Sequence, residues 1–311
     1  MRSFRPHSIF VTILVAILGR GEPVERMIPA TARWVFTADI AALKQSETGS
    51  RLFRHLQSGA SSNQIAAMSA MFRVDPFNDI ERIVLWGRPA SSNATILLLQ
   101  GRFDAAHLET IIRGNARYQS FAYGRHTLHS WVDEGNREVQ RQYGCIHPTG
   151  GLLVSRCREA VEEALDTLDG RRPSLNPLES FGFPFSSNAP LYYASGETVP
   201  TGIPLPDPTR MAIRATWIEA SEKIRTVHIT LGLQVSDPDS ARQVRDVVQG
   251  LVALGQMAQD PDTVELMAPA RVDLEGASVR ISTSASSDLV FRMLRRQLDG
   301  PAAGSATAST P

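Results

Sequence analysis

The sequence predicts an α+β fold, mainly antiparallel sheet with helices packed on one face, arranged as two strand–strand–helix halves of ferredoxin-like type. Three observations predict it. Short runs rich in β-branched and aromatic residues recur along the chain, bounded by Gly, Pro, Asn and Ser, which is how strands read in sequence. Other segments carry apolar residues at helical spacing. The strands come in groups before a helix follows, rather than in strict strand–helix alternation.

The elements follow in chain order. Arg2 and Arg5 precede an apolar run from Ile9 to Leu18. At about ten residues this run has the length of a signal-peptide core and falls short of the ~18–20 residues that span a bilayer. Gly19 and Gly21 place cleavage near Gly21-Glu22, but the A-x-A pattern is absent, so retention as a short anchor and a buried N-terminal strand stay open as alternatives. Trp34 to Ala38 then reads as a strand, and Asp39 caps a helix to about Leu56. A second helix is expected from Asn63 to Phe72. Strands from Ile80 to Trp86 and Ala94 to Gln100 flank a turn at residues 88–93, and the Leu97-Leu98-Leu99 run predicts burial on both faces. Asp104 starts a helix to Arg113. Strands near 119–123, 126–132, 142–147 and 152–155 lead to a helix from Arg158 to Leu168 that stops at Gly170.

In the second half, strands are expected from Leu191 to Ala194, from Met211 to Trp217 and from Val227 to Val235. Asp237-Pro238 opens a helix to about Met257, a short helix lies near 263–267, and strands at 271–274 and 278–282 precede a last helix ending at Leu298. Residues 1–21 are thus a signal peptide, 29–170 a first half, 171–188 a Pro/Ser-rich linker, 189–299 a second half and 300–311 a disordered tail. A second Pro-rich stretch, Val199 to Pro208, reads as a surface loop. Leu97-Leu98-Leu99-Gln100 parallels Leu231-Gly232-Leu233-Gln234, and Leu168-Asp169-Gly170 parallels Leu298-Asp299-Gly300, a pattern of internal duplication.

Charge narrows the function classes. Thirty-two basic and 32 acidic residues give a formal net charge of zero, which removes the excess of Lys and Arg that nucleic-acid binding needs. No block of like charge suits a polybasic membrane patch. Arginine replaces lysine almost throughout, Lys44 and Lys223 being the two lysines, and the arginines are scattered and balanced by acids.

Motif searches find no G-x-S-x-G elbow, P-loop, dinucleotide fingerprint or H-E-x-x-H. His126-x-x-His129 would place its two rings on opposite faces of a strand. Asp104 and His107 share a helix start, which makes half a metal site, but no further ligands complete it. His228 lies on the polar side of an alternating strand, and His129 with Trp131 shares one strand face. Asp75, Asn78, Asp79 and Glu81 miss the spacing of a calcium loop. Asp-Pro at 75, 207, 237 and 260 reads as turns and helix caps. Cys145 and Cys157 flank a hairpin turn at Pro148–Gly151 and are at best diagonal neighbours, so two free thiols are expected. Asn93-Ala94-Thr95 matches a glycosylation acceptor. No catalytic residue is assigned, and neither a cofactor nor a metal is implied.

Several short features coincide: Pro29-Ala30 before a strand ending at Ala38-Asp39, a helix with Ser46 and Gly49, Val74-Asp75-Pro76 with Asp79-Ile80, and Gly101-Arg102-Phe103-Asp104. With the N-terminal signal, this order resembles an exported bacterial protein family formed by a domain of unknown function with no assigned activity. The resemblance covers most of the first half and implies export and an α+β sheet. It carries over no site residues. The function expected is that of an exported, non-enzymatic binding or scaffolding protein of the cell envelope, periplasmic, with envelope proteins as partners. The alternative is an exported hydrolase with a dispersed site, in which His129 or His107 meets a carboxylate and a serine.

Overall fold

The computed structural model describes residues 23–59, 62–88, 94–133, 140–149, 151–182, 190–196 and 205–299. The expected signal peptide, the tail, Asn93, most of the 88–93 turn and parts of both Pro-rich stretches lie outside the described residues. The α+β architecture is as expected. Twelve strands, β1 (Trp34–Asp39), β2 (Ile80–Gly87), β3 (Ile96–Gly101), β4 (Gln119–Tyr123), β5 (His126–Asp133), β6 (Gln140–His147), β7 (Gly151–Ser155), β8 (Leu191–Ser195), β9 (Ile213–Lys223), β10 (Thr226–Val235), β11 (Arg271–Glu275) and β12 (Ser278–Ser286), form one sheet. Its order is β11-β12-β10-β9-β8-β1-β2-β3-β7-β6-β5-β4, and the neighbours pair antiparallel. The two expected halves therefore meet at the β1–β8 pair inside one sheet, Phe36 facing Tyr193.

Helices α1 (Ile40–Gln45), α2 (Glu47–Ser58), α3 (Ser62–Phe72), α4 (Ala105–Arg113), α5 (Arg158–Leu168), α6 (Pro177–Phe181), α7 (Asp207–Ala212), α8 (Pro238–Gln256), α9 (Pro261–Met267) and α10 (Ser287–Asp299) complete the described chain. Packing on a single face describes most of them. Ile40, Ala42 and Leu43 of α1 meet Phe36, Ala38 and Ala220, Ala241, Val244 and Val248 of α8 meet Leu233 and Val279, and Leu289 and Val290 of α10 meet Val227. Helix α5 is the main departure. Its Val161, Ala164 and Leu165 pack with Val35, Val84, Trp86, Ile96, Leu98 and Leu153, the residues that alternate with the first set and point to the opposite face. Those strands are apolar on both sides, so a second cover is needed, and α5 supplies it together with Val24, Met27 and Phe181.

Several boundaries differ from expectation. The helix predicted from Asp39 to Leu56 breaks at Ser46, whose hydroxyl accepts from Gly49 N at 2.9 Å and starts α2 anew. The strand expected from Met211 begins at Ile213, because Met211 belongs to the short helix α7 and is 83% exposed. The strand then runs on to Lys223, past the expected end at Trp217. Residues 171–182, read as the start of a linker, are anchored instead: Pro29 bridges Ser174, and Leu175 and Phe181 are buried in the core.

The β9–β10 hairpin turns on Ile224 and Arg225, at φ 48° and 60°. A two-residue hairpin turn with both φ positive calls for Asn-Gly or a similar pair. Ile224 is instead β-branched and 98% exposed, so it gains no burial to offset the strain. Ile224→Asn should raise stability by about 1 kcal/mol in urea unfolding, and an unchanged midpoint would refute the strain.

Candidate functional site

Among the described residues, a buried cluster of titratable groups is built where β5 begins and β6 and α5 end. The turn Gly124-Arg125, with Gly124 at φ 56°, returns the chain from β4 to β5 and sets His126 at the first position of β5. His129 of β5 opposes Gly144 of β6, and continuing that register brings His126 opposite His147. Their rings lie 5.2 Å apart between centroids. The third member comes from the end of α5. Gly170, at φ 73°, donates to Thr167 O, and Arg171 N donates to Asp166 O at 2.7 Å. This C-terminal closure fixes Asp169 as the C-cap just past Leu168 and turns it toward the hairpin.

His126 Nε2 lies 2.8 Å from Asp169 Oδ2, and His147 Nε2 lies 3.4 Å from Oδ1. The His126, His147 and Asp169 side chains are 2%, 3% and 4% exposed. Arg125 reaches Oδ1 at 2.5 Å and Arg171 reaches Oδ2 at 2.6 Å. Arg171 is itself held by Asp166, which also accepts from Tyr123 Oη at 3.0 Å. Burial works to raise the Asp169 pKa, but hydrogen bonds from His126, Arg125 and His147 more than reverse it, so the carboxyl sits well below the usual range. Burial lowers the His147 pKa against the opposing pull of Asp169. His147 Nδ1 is 2.7 Å from Thr149 Oγ1, and Thr149 lines a cavity of about 180 Å³ with Met27, Leu98, Gln100, Gly151 and Leu168. A larger cavity of about 310 Å³ lies farther along α5, lined by Thr31, Trp86, Arg88, Tyr123, Glu163 and Arg172 among others. Its Glu163 carboxylate already binds Arg88 through both oxygens, at 3.0 and 2.8 Å.

The residues singled out from sequence lie elsewhere. His129 and His126 do point to opposite faces. His129 is buried, its Nδ1 3.0 Å from Tyr118 Oη and its Nε2 3.9 Å from Glu109, and burial lowers its pKa. The ring of His107 bonds the Met71 carbonyl at 2.9 Å, and Asp104 caps α4 by accepting from His107 N. Among the described residues, neither ring has a serine hydroxyl among its hydrogen-bond partners. Asp75 and Asp79 spend their oxygens locally, Asp75 on Phe77 N and Asn78, Asp79 on Asp75 N. Asp237 and Asp260 cap α8 and α9 ahead of Pro238 and Pro261. Both thiols are free. Cys145 opposes Leu153 across a three-residue loop, and burial pushes its thiol up to about 12.

Asp169 and His147 escaped sequence reasoning because nothing local joins them. The one usable signal was the β5–β6 register, set by a loop whose length the sequence does not mark.

No protein-family model matches the chain, and no curated protein matches it. Among described residues no helix is long and apolar enough to cross a membrane. The fold is similar to that of TP0453. Its crystal form III aligns with a TM-score of 0.51 over 88% of this chain and 97% of that one, at 12% identity. Crystal form IV aligns with a TM-score of 0.50 over 88% and 96%, also at 12% identity. The likeness shows the α+β fold and carries no site residue with it.

Proposed function

We propose that this chain is an exported binding or scaffolding protein of the bacterial cell envelope, periplasmic and without a catalytic site, whose partners are other envelope proteins. The observation that carries the reading is the N-terminal pattern, Arg2 and Arg5 followed by the apolar run from Ile9 to Leu18. The state of the buried polar groups supports its non-enzymatic part. A general base needs a substrate proton within reach, whereas Asp169 is closed by two arginines and two histidines. His129 and His107, the candidates for a dispersed hydrolase, bond a tyrosine and a backbone carbonyl. Duplication belongs to the same reading: the strand order mirrors itself about β8–β1 through β2/β9, β3/β10 and β7/β12. Its Leu-Asp-Gly signature is the weaker part, since α5 and α10 cover opposite faces.

Cell fractionation with intact-mass measurement tests the proposal. The expected result is a periplasmic species shortened by about 21 residues. A full-length protein recovered from the cytoplasm would overturn it.

A further inference from the structure

We propose that His126, His147 and Asp169 bind a divalent transition-metal ion, zinc being the ion whose chemistry fits the donors best. This stands apart from the envelope reading, since it rests on side-chain geometry alone. Two imidazole nitrogens and one carboxylate oxygen all lie within 4.8 Å of one another, contributed by β5, β6 and the end of α5. Two histidines with one carboxylate is a recurrent zinc donor set, leaving one tetrahedral position for water. Metal–ligand bonds of about 2.0–2.2 Å put tetrahedral ligands about 3.4 Å apart. His147 Nε2 is already 3.4 Å from Asp169 Oδ1, and His126 Nε2 now sits 2.8 Å from the other oxygen, Oδ2, so a small rotation of the carboxylate is needed to present one oxygen to both rings.

Charge balance does not account for the histidines. Arg125 and Arg171 already neutralise Asp169, yet two buried rings also aim Nε2 at the same carboxylate. On metal binding each Nε2 offers its lone pair and its proton moves to Nδ1. Thr149 Oγ1, 2.7 Å from His147 Nδ1, is placed to accept that N–H and hold the ring, in place of the long 3.4 Å contact that the Thr149 backbone N–H now donates to Nδ1. The Arg125 side chain is 65% exposed and free to swing toward solvent, and Arg171 keeps Asp166 as its second partner.

The test is titration of the chelator-treated full chain with zinc and with cobalt. Saturable one-to-one binding is expected, with a zinc-dependent rise in Tm and the visible bands of four-coordinate cobalt. His126→Gln, His147→Gln and Asp169→Asn should each abolish it, while His228→Gln, at an exposed histidine, should leave it unchanged. Thr149→Val keeps every ligand and should weaken binding about tenfold. X-ray absorption on the wild-type zinc form reads the ligands without relying on any variant's folding, and two imidazoles with oxygen and no sulfur are expected. Absence of saturable binding, binding that survives the His126→Gln/His147→Gln double variant, or a sulfur ligand would each overturn the assignment.

Discussion

Asp169→Ala should destabilise the fold by about 3 kcal/mol, whereas Arg125→Ala should cost no more than about 1 kcal/mol. The contrast follows from where each group sits. Asp169 accepts from four side chains and is 4% exposed, so its removal takes the shared acceptor from His126 and His147 and the acidic partner from Arg125, while Arg171 keeps only Asp166. An aspartate at the last turn of a helix is also set against the helix dipole, so its position reflects these contacts rather than a helical preference. Arg125 is 65% exposed and loses one water-screened contact. The same carboxylate gives a pH signature. Its folded pKa lies below the unfolded value near 3.9, so its contribution is complete above about pH 5 and is lost as pH falls through the folded pKa. Chemical denaturation of wild type and both variants measures this. The hub assignment fails if Asp169→Ala loses no more than Arg125→Ala, or if its stability falls on acidification as steeply as the wild type's.

How much could be read in advance depended on whether a feature is local. Helix starts at Asp39, Asp104, Asp237 and Asp260 were legible because the cap and the amide it accepts are three residues apart. The alternation in Val227, Ile229, Leu231 and Leu233 likewise placed β10. What failed depended on distant partners. Residues 171–182 look like a linker by composition, but Leu175 and Phe181 find a core formed by β1, β2 and β8. The sheet joins its halves through Trp34↔Ser195 and its neighbours, a pairing that no short-range pattern encodes. Gly232 reads as a weak spot in a strand, yet it faces Trp217, whose ring would lie 1.8 Å from any Cβ placed there. For the site the difference was sharper: His126 and His147 become neighbours only through a register, and Asp169 joins them only because α5 covers the unexpected face.

Glu222→Ala is the second large effect, about 3 kcal/mol. Glu222 lies in the part of β9 beyond the predicted end at Trp217, 6% exposed. Oε1 accepts from Glu47 N at 3.0 Å and from Ser287 Oγ at 2.9 Å, and Oε2 accepts from Thr48 N at 3.1 Å. One carboxylate thus caps the first turn of α2, contributed by the first half, while holding the start of α10 in the second. The donors are enclosed, so truncation leaves them without water to replace the lost acceptor. The positive end of the α2 dipole adds to the attraction. Glu222→Gln keeps the shape and one acceptor oxygen but loses the charge, and should cost about half as much. Arg51→Ala, which removes the solvent-screened pairs with Glu47 and with Asp288 of α10, should change stability far less than Glu222→Ala. Urea unfolding ranks the three, and hydrogen exchange at the Glu47 and Thr48 amides locates the damage. If exchange there is unchanged in Glu222→Ala, or if that variant is as stable as Arg51→Ala, the carboxylate is not what ties α2 to β9 and α10.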